Sequence, residues 1–204
     1  MGCFVFLFVI DYIKLKTKIM IMILFFGILS IIVYSSDYIK MRYVGQIYNQ
    51  LAHKGEKSNF SDNLYIQLYK SGYAVFENNP IFGVGNKNYR VETCKKEGDQ
   101  IKYNYKCLTH PHQIYFEFLS EHGLIGTIIM LSILFYLMYL ILKSIFLSRD
   151  YIQIGAFIFV LINFVPLLPS GSFFSDFNVT LFWLNFSIMF ASNKNTNIFK
   201  KKTI

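Results

Sequence analysis

Four long apolar runs constrain this chain more than any other feature. Ile19–Tyr34 reads IMIMILFFGILSIIVY, and Gly123–Leu147 reads GLIGTIIMLSILFYLMYLILKSIFL. Ile152–Leu168 reads IQIGAFIFVLINFVPLL, and Thr180–Ala191 reads TLFWLNFSIMFA. A membrane helix takes about 20 mostly apolar residues. The four runs reach that length or approach it, the last one if Phe173–Val179 contributes. Only 16% of residues are charged, against about 25% in a soluble domain. The expected fold is therefore all-α and polytopic, with about four membrane helices. A fifth run, Cys3–Ile10, is too short to span. No basic residue precedes it and Lys14, Lys16 and Lys18 follow, which is the wrong order for a signal peptide. It reads as the tail of a helix whose beginning is missing, so the chain is expected to be the C-terminal part of a larger protein or a truncated copy.

The net charge of +8 then becomes a question of sidedness. Lys14, Lys16 and Lys18, then Lys143 and Arg149, then Lys194 and Lys200–Lys202 fall at alternate ends of the runs, opposed only by Asp11 and Asp150. The connection Pro169–Val179 has no Lys or Arg. The positive-inside rule puts the basic segments in the cytoplasm and Ser35–His122 outside. The expected organisation is N-terminal spans over 1–34, a long external loop over 35–122, C-terminal membrane helices over 123–191 and a basic cytoplasmic tail over 192–204. Most of the positive charge is a topology signal, so nucleic-acid binding loses its support. A transporter would need polar groups within the spans, and Asn163, Asn185 and Lys143 are few.

Loops of this length are usually functional. This one holds all four histidines, His53, His110, His112 and His122, and two of the three cysteines. Apolar residues spaced by four predict a helix over Tyr38–His53. A second is predicted over Asp62–Asn78, with Ser61 or Asp62 as its N-cap. Asn79-Pro80 stops the second helix. In Ile81-Phe82-Gly83-Val84-Gly85, two glycines two apart permit a close backbone approach or positive φ, though a plain turn would use them as well. Cys94 and Cys107 on an oxidising face read as a disulfide closing Lys95–Lys106. A metal site is not expected, because zinc wants paired ligands at close spacing. In Thr109-His110-Pro111-His112-Gln113, Pro111 keeps His110 out of the helical region, and His112-Gln113 opens a helix. A histidine at a helix start beside the membrane suits action on a lipid-linked substrate, or is simply an interfacial side chain. Glu117 and Glu121, one turn apart on one helical face, could hold a histidine or the acceptor sugar, but a solvated face is the simpler expectation.

Several of these segments resemble one known family. His112-Gln113, nine residues, then Gly123-x-x-Gly126 fits the pattern His-[Asn/Ser/Gln]-x9-Gly-x-x-[Gly/Thr/Tyr] of the O-antigen ligase family, which also contains O-antigen polymerases. HPHQIYFEFLSEHGLIG, ENNPIFGVGNKNYR and SGSFFSDFNVTLFWL are similar to its regions in the same order, so the resemblance runs over roughly residues 60–191. It implies a bacterial inner-membrane glycosyltransferase of cell-surface (lipopolysaccharide) biosynthesis, with its large loop in the periplasm. The implied enzyme is inverting and metal-independent, with no cofactor. It would take a glycan from undecaprenyl diphosphate to a lipid A-core sugar in a ligase, or to another lipid-linked glycan in a polymerase. Full-length members have about twice as many spans, so a truncated, non-catalytic fragment needing a chain that supplies the missing spans is the competing reading.

The chemistry needs a base for the acceptor hydroxyl and cations for the departing diphosphate. By motif position His112 is the candidate base, with His110 and Gln113 as candidate substrate-binding partners. Arg90 is the first candidate for the diphosphate, with Lys87 and Lys70 behind it. Family members place an arginine at the start of the helix before the NPxxGxG turn. Here that stretch reads Asn63-Leu64-Tyr65, so Lys70 or Arg90 is expected to substitute.

Overall fold

The computed structural model describes residues 6–7, 9–11, 13–45, 64–95, 101–166, 168–194 and 196–197, with helices, turns and no strand among them. The chain divides into two units, Cys3–Asn63 and a second built from Leu64–Ile204.

In the first unit, α1 (Leu15–Ser35) has 21 residues, about 31 Å at 1.5 Å per residue. That matches a hydrocarbon core about 30 Å thick. The helix is apolar on every side, and Met20, Ile23, Leu24 and Ile31 are exposed. A helix greasy all round has no face to turn to water, so its medium is lipid. The hydroxyls of Ser30 and Ser35 donate to the carbonyls of Phe26 and Ile31 and so hide within the helix. Ser36 then caps a short turn, Asp37–Ile39, which runs into a π-helical turn, Lys40–Gly45. This is the start of the predicted Tyr38–His53 helix, and its remainder lies outside the described residues. So does half of the Cys3–Ile10 run; within its described part the Ile10 amide donates to the Phe6 carbonyl.

In the second unit, α2 (Leu64–Asn78) matches the predicted second loop helix. Its expected caps, Ser61 and Asp62, lie outside the described residues. A short α3 (Tyr89–Thr93) follows. Next come α4 (Ile114–Ser148), α5 (Tyr151–Ile162) and α6 (Asp176–Ala191). At 35 residues, α4 is about 52 Å long, too long for one crossing. Gly123, at φ 64° and ψ −170°, breaks it. The part before the break carries Glu117 and Glu121. The part after it is the apolar run, with Ile125, Ile128, Ile129 and Ile133 exposed. Arg149 closes α4 in the left-handed region, and Asp150 Oδ1 accepts from the amides of Ile152 and Gln153 to open α5.

The last two runs differ from expectation. α5 has 12 residues and α6 has 16, about 18 Å and 24 Å. Each is shorter than the apolar core of a bilayer. α5 stops because the Asn163 side chain donates its Nδ2 to the Phe159 carbonyl, the backbone amides of residues 163–165 pair three residues back, and Pro166 has no N–H to continue. Ser175 caps α6, so Phe173 and Phe174 stay outside the helix. They join the core instead. Phe118, Phe173, Phe182 and Phe186 stack in a column with centroids 5.0, 4.9 and 5.9 Å apart. Leu134, Met138 and Val160 pack around the column. At the opposite end of α5 and α6, buried Gln153 donates to the Met189 carbonyl at 2.8 Å, and Asn193 donates to Ser148 Oγ at 2.6 Å.

Candidate active site

The site is organised by the break at Gly123. Breaking a helix orphans carbonyls before the break and amides after it. The turn Asn79–Gly85 supplies the missing partners. The amides of Val84 and Gly85 donate to the carbonyls of Ser120 and Glu121 at 2.9 and 2.8 Å. The amides of Leu124 and Ile125 donate to the carbonyls of Pro80 and Ile81 at 2.8 and 3.3 Å. Gly83 and Gly123 both have positive φ and face each other so closely that a side chain on either would collide with the other strand's backbone. Of the uses open to the paired glycines, close approach and positive φ are both realised here. The NPIFGVG turn and the histidine motif are therefore the two halves of one joint. Gly126 has a different role: a side chain there would meet the His122 Cβ at 2.8 Å.

The expectation of a solvated Glu117 and Glu121 is corrected. Glu117 is fully buried and Glu121 is 2% exposed. Glu117 accepts from Ser172 Oγ at 2.6 Å and from the Phe173 amide at 2.9 Å, so it clamps the connection between α5 and α6. Glu121 Oε2 accepts from the Lys87 amide at 2.9 Å and positions the turn into α3. Both carboxyls lie ahead of the apolar run. Burial raises both above the usual carboxylate range, with Glu121 pushed up to about 7, while the hydrogen bonds they accept pull the other way. The sequence signal was two acids placed among residues otherwise too apolar for a wet face.

His112 sits just before α4 at φ 58°. Its carbonyl accepts from the Ser170 amide at 2.8 Å. Gln113, 2% exposed, is the helix cap, and its Oε1 accepts from the amides of Tyr115 and Phe116. Extended backbone at the cap is what lets a side chain reach those amides. The His110 and His112 rings lie 4.0 Å apart, centroid to centroid. His110 Nδ1 pairs with Thr109 Oγ1 at 2.9 Å, and its Nε2 is buried without a partner among the described residues. Tyr65 stands edge-on to His112 at 6.3 Å. Burial lowers both imidazoles below their ordinary pKa. For His112 the neighbouring His110 adds to the lowering, while the Ser170 backbone and Glu117 oppose it.

The candidate cations are Lys87, Arg90 and Lys70. Lys87 Nζ pairs with Asp176 at 3.2 Å, at the start of α6. Arg90 is exposed on α3. Lys70 lines a groove along α2. Cys94 and Cys107 form the expected disulfide, with Cα atoms 4.5 Å apart. It ties the end of α3 to the segment before the histidines. Buried Tyr89 donates to or accepts from Ser71 Oγ at 2.8 Å, and the Lys106 amide donates to that same oxygen. Among the described residues no cluster of His, Cys, Asp and Glu could hold a metal ion. Sequence reasoning missed Ser170 and Tyr65. Ser170 had been read only as part of a short connection.

A family model described as O-antigen ligase matches residues 1–131. The match takes in the NPIFGVG turn, both disulfide cysteines, the histidine motif and Gly126. The chain belongs to the O-antigen ligase family. It is thus a membrane protein of an enzyme family that handles lipid-linked glycans. The SGSFFSDFNVTLFWL segment lies beyond the matched region. Its link to the histidine motif is structural, through Ser170 on His112 and Ser172 on Glu117. No curated protein and no solved structure matches the chain.

Proposed function

We propose that this chain carries the transfer site of an inverting glycosyltransferase of the O-antigen ligase type, with His112 as general base. The observation that carries the reading is the imidazole pair. His112 is held at φ 58° by the Ser170 amide on its carbonyl and lies 4.0 Å from His110. Burial and that neighbour favour the neutral ring, the form a base requires. In the proposed step the acceptor hydroxyl gives its proton to the His112 ring. Its oxygen bonds to the anomeric carbon as that carbon's bond to the diphosphate oxygen breaks from the opposite face. The leaving group is undecaprenyl diphosphate, and its charge needs cations. Arg90 is first in line, because Lys87 is engaged by Asp176 and Lys70 lies in the groove. The acceptor is a lipid A-core sugar in the ligase reading and another lipid-linked glycan in the polymerase reading. The loop that holds the site faces the periplasm, away from the lysine-rich ends.

The test is complementation of a ligase-deficient and a polymerase-deficient strain, read on the lipopolysaccharide ladder. Long glycan restored by the native protein and abolished by His112→Ala is the expected result, and the strain restored names the acceptor. Equal ladders from the native protein and His112→Ala would overturn the assignment of the base.

A further inference from the structure

A groove of about 710 Å³, which the imidazole pair does not line, runs along α2 between residues 102–104 and Phe116 of α4. Tyr69, Tyr73 and Tyr103 supply rings to it, and Lys70, Glu77 and Asn104 supply polar ends. The rings are held in place. Tyr69 stacks on Phe116 at 5.6 Å, and Tyr103 lies 5.5 Å from Tyr105. The far wall, with Tyr103, is held by the Cys94–Cys107 disulfide and by Asn78, which donates to the Tyr105 hydroxyl at 2.9 Å.

The groove also has a direction. Tyr65, Tyr69 and Tyr73 recur every four residues and share one face of α2. Tyr65 meets His112, Tyr69 meets Phe116 on α4, and Tyr73 opens into the groove. From Tyr65 to Tyr73 this stripe rises about 12 Å. It joins the imidazoles to the groove.

Fixed rings interleaved with amide, carboxylate and ammonium ends suit a ligand with alternating C–H faces and hydroxyl edges. An alkyl chain would leave the polar ends unpaired, and a bare phosphate would make no use of the rings. We propose that this groove binds a saccharide strand and that the tyrosine stripe leads that strand toward His112. The direction of the strand rests on the transfer reading above, but saccharide binding in the groove does not.

The test separates the two. The probe is lipid-free polysaccharide released by mild acid from the source strain's surface, titrated into the purified full chain in detergent. The probe carries no diphosphate lipid, so binding is read without turnover. Saturable binding is expected for the native protein. Tyr73 is 47% exposed, so truncating it spares the core. Tyr73→Ala is expected to weaken binding at least tenfold, and Tyr73→Phe, which keeps the ring, to retain it. Absence of saturable binding by the native protein would overturn the proposal. So would equal binding by Tyr73→Ala, or a Tyr73→Phe variant as weak as Tyr73→Ala. If complementation fails while this pattern holds, the transfer reading falls and the groove stands.

Discussion

The amide of Leu124 donates to the carbonyl of Pro80 at 2.8 Å, across the point where α4 is broken. That bond and its three companions make the NPIFGVG turn a splint for α4, the helix that follows His112. Without the turn, the break would leave unpaired backbone at the edge of the membrane, at a cost of roughly 1–3 kcal/mol for each buried group.

Gly83→Ala and Gly123→Ala should each be severely destabilising. A non-glycine residue in the left-handed region costs roughly 1–2 kcal/mol, and each added methyl would also collide with backbone that has no room to shift. Because the two glycines meet in one joint, the double variant should lose much less than the two single losses combined. Thermal unfolding in detergent checks this, and additive losses would mean that the joint is not a unit.

Transfer activity should fall as pH drops through the His112 pKa, with its midpoint below the ordinary 6.5 of histidine. His110→Ala opens the site to water and removes the neighbouring ring. The midpoint should then move up toward 6.5. A pH–rate profile of the two proteins measures it, and an unmoved midpoint would show that His110 and its burial do not set the base.

Glu121 gives a pH signature of the opposite sign. Its folded pKa is raised to about 7 from 4.5, so between those values the folded state holds a proton that the unfolded state has lost. The stabilisation is complete below 4.5 and disappears as pH rises through about 7. Glu121→Gln mimics the protonated acid. Its advantage over the native protein should grow as pH rises from about 5 through about 7 and then level off. Melting temperatures across that range test it. A constant offset would place the carboxyl in water after all.

Glu117→Ala should leave the Ser172 hydroxyl and the Phe173 amide without their acceptor, at a cost of roughly 1–3 kcal/mol. The connection that carries Ser170 would loosen, and with it the grip on the His112 carbonyl. Activity should fall by more than stability explains. Glu117→Gln keeps an acceptor oxygen and should recover part of both. Comparing activity at matched folded fraction separates positioning from folding.

Cys94→Ser should cost about 3 kcal/mol, the scale of closing a loop of this size. It should also loosen the wall of the groove that carries Tyr103. Non-reducing electrophoresis with a thermal melt reads the first effect. A melting temperature unchanged by the substitution would show that α2 packing alone holds the wall.

The amino-acid sequence by itself determined the membrane class, the two long apolar helices, the α2 segment, the disulfide pair and the histidine motif. Each of these follows from local composition or from spacing within one stretch of chain. The sequence also placed Gln113 at the opening of a helix. What it could not show was which distant backbone groups would meet. The pairing of Asn79–Gly85 with the break at Gly123 joins segments some forty residues apart, and only the tertiary structure sets two positive-φ glycines face to face. The burial of Glu117 and Glu121 follows from the same meeting. An acid one turn from another reads as a wet face until the 84–89 and 170–174 segments close over it with donors. The apolar run after α4 read as a full span, yet the Asn163 side chain and Pro166 end α5 early, because local hydrogen-bond competition outweighs hydropathy there. Ser170 reached His112 only through the fold, since nothing in the spacing of a short uncharged connection marks the residue that will hold a catalytic candidate in place.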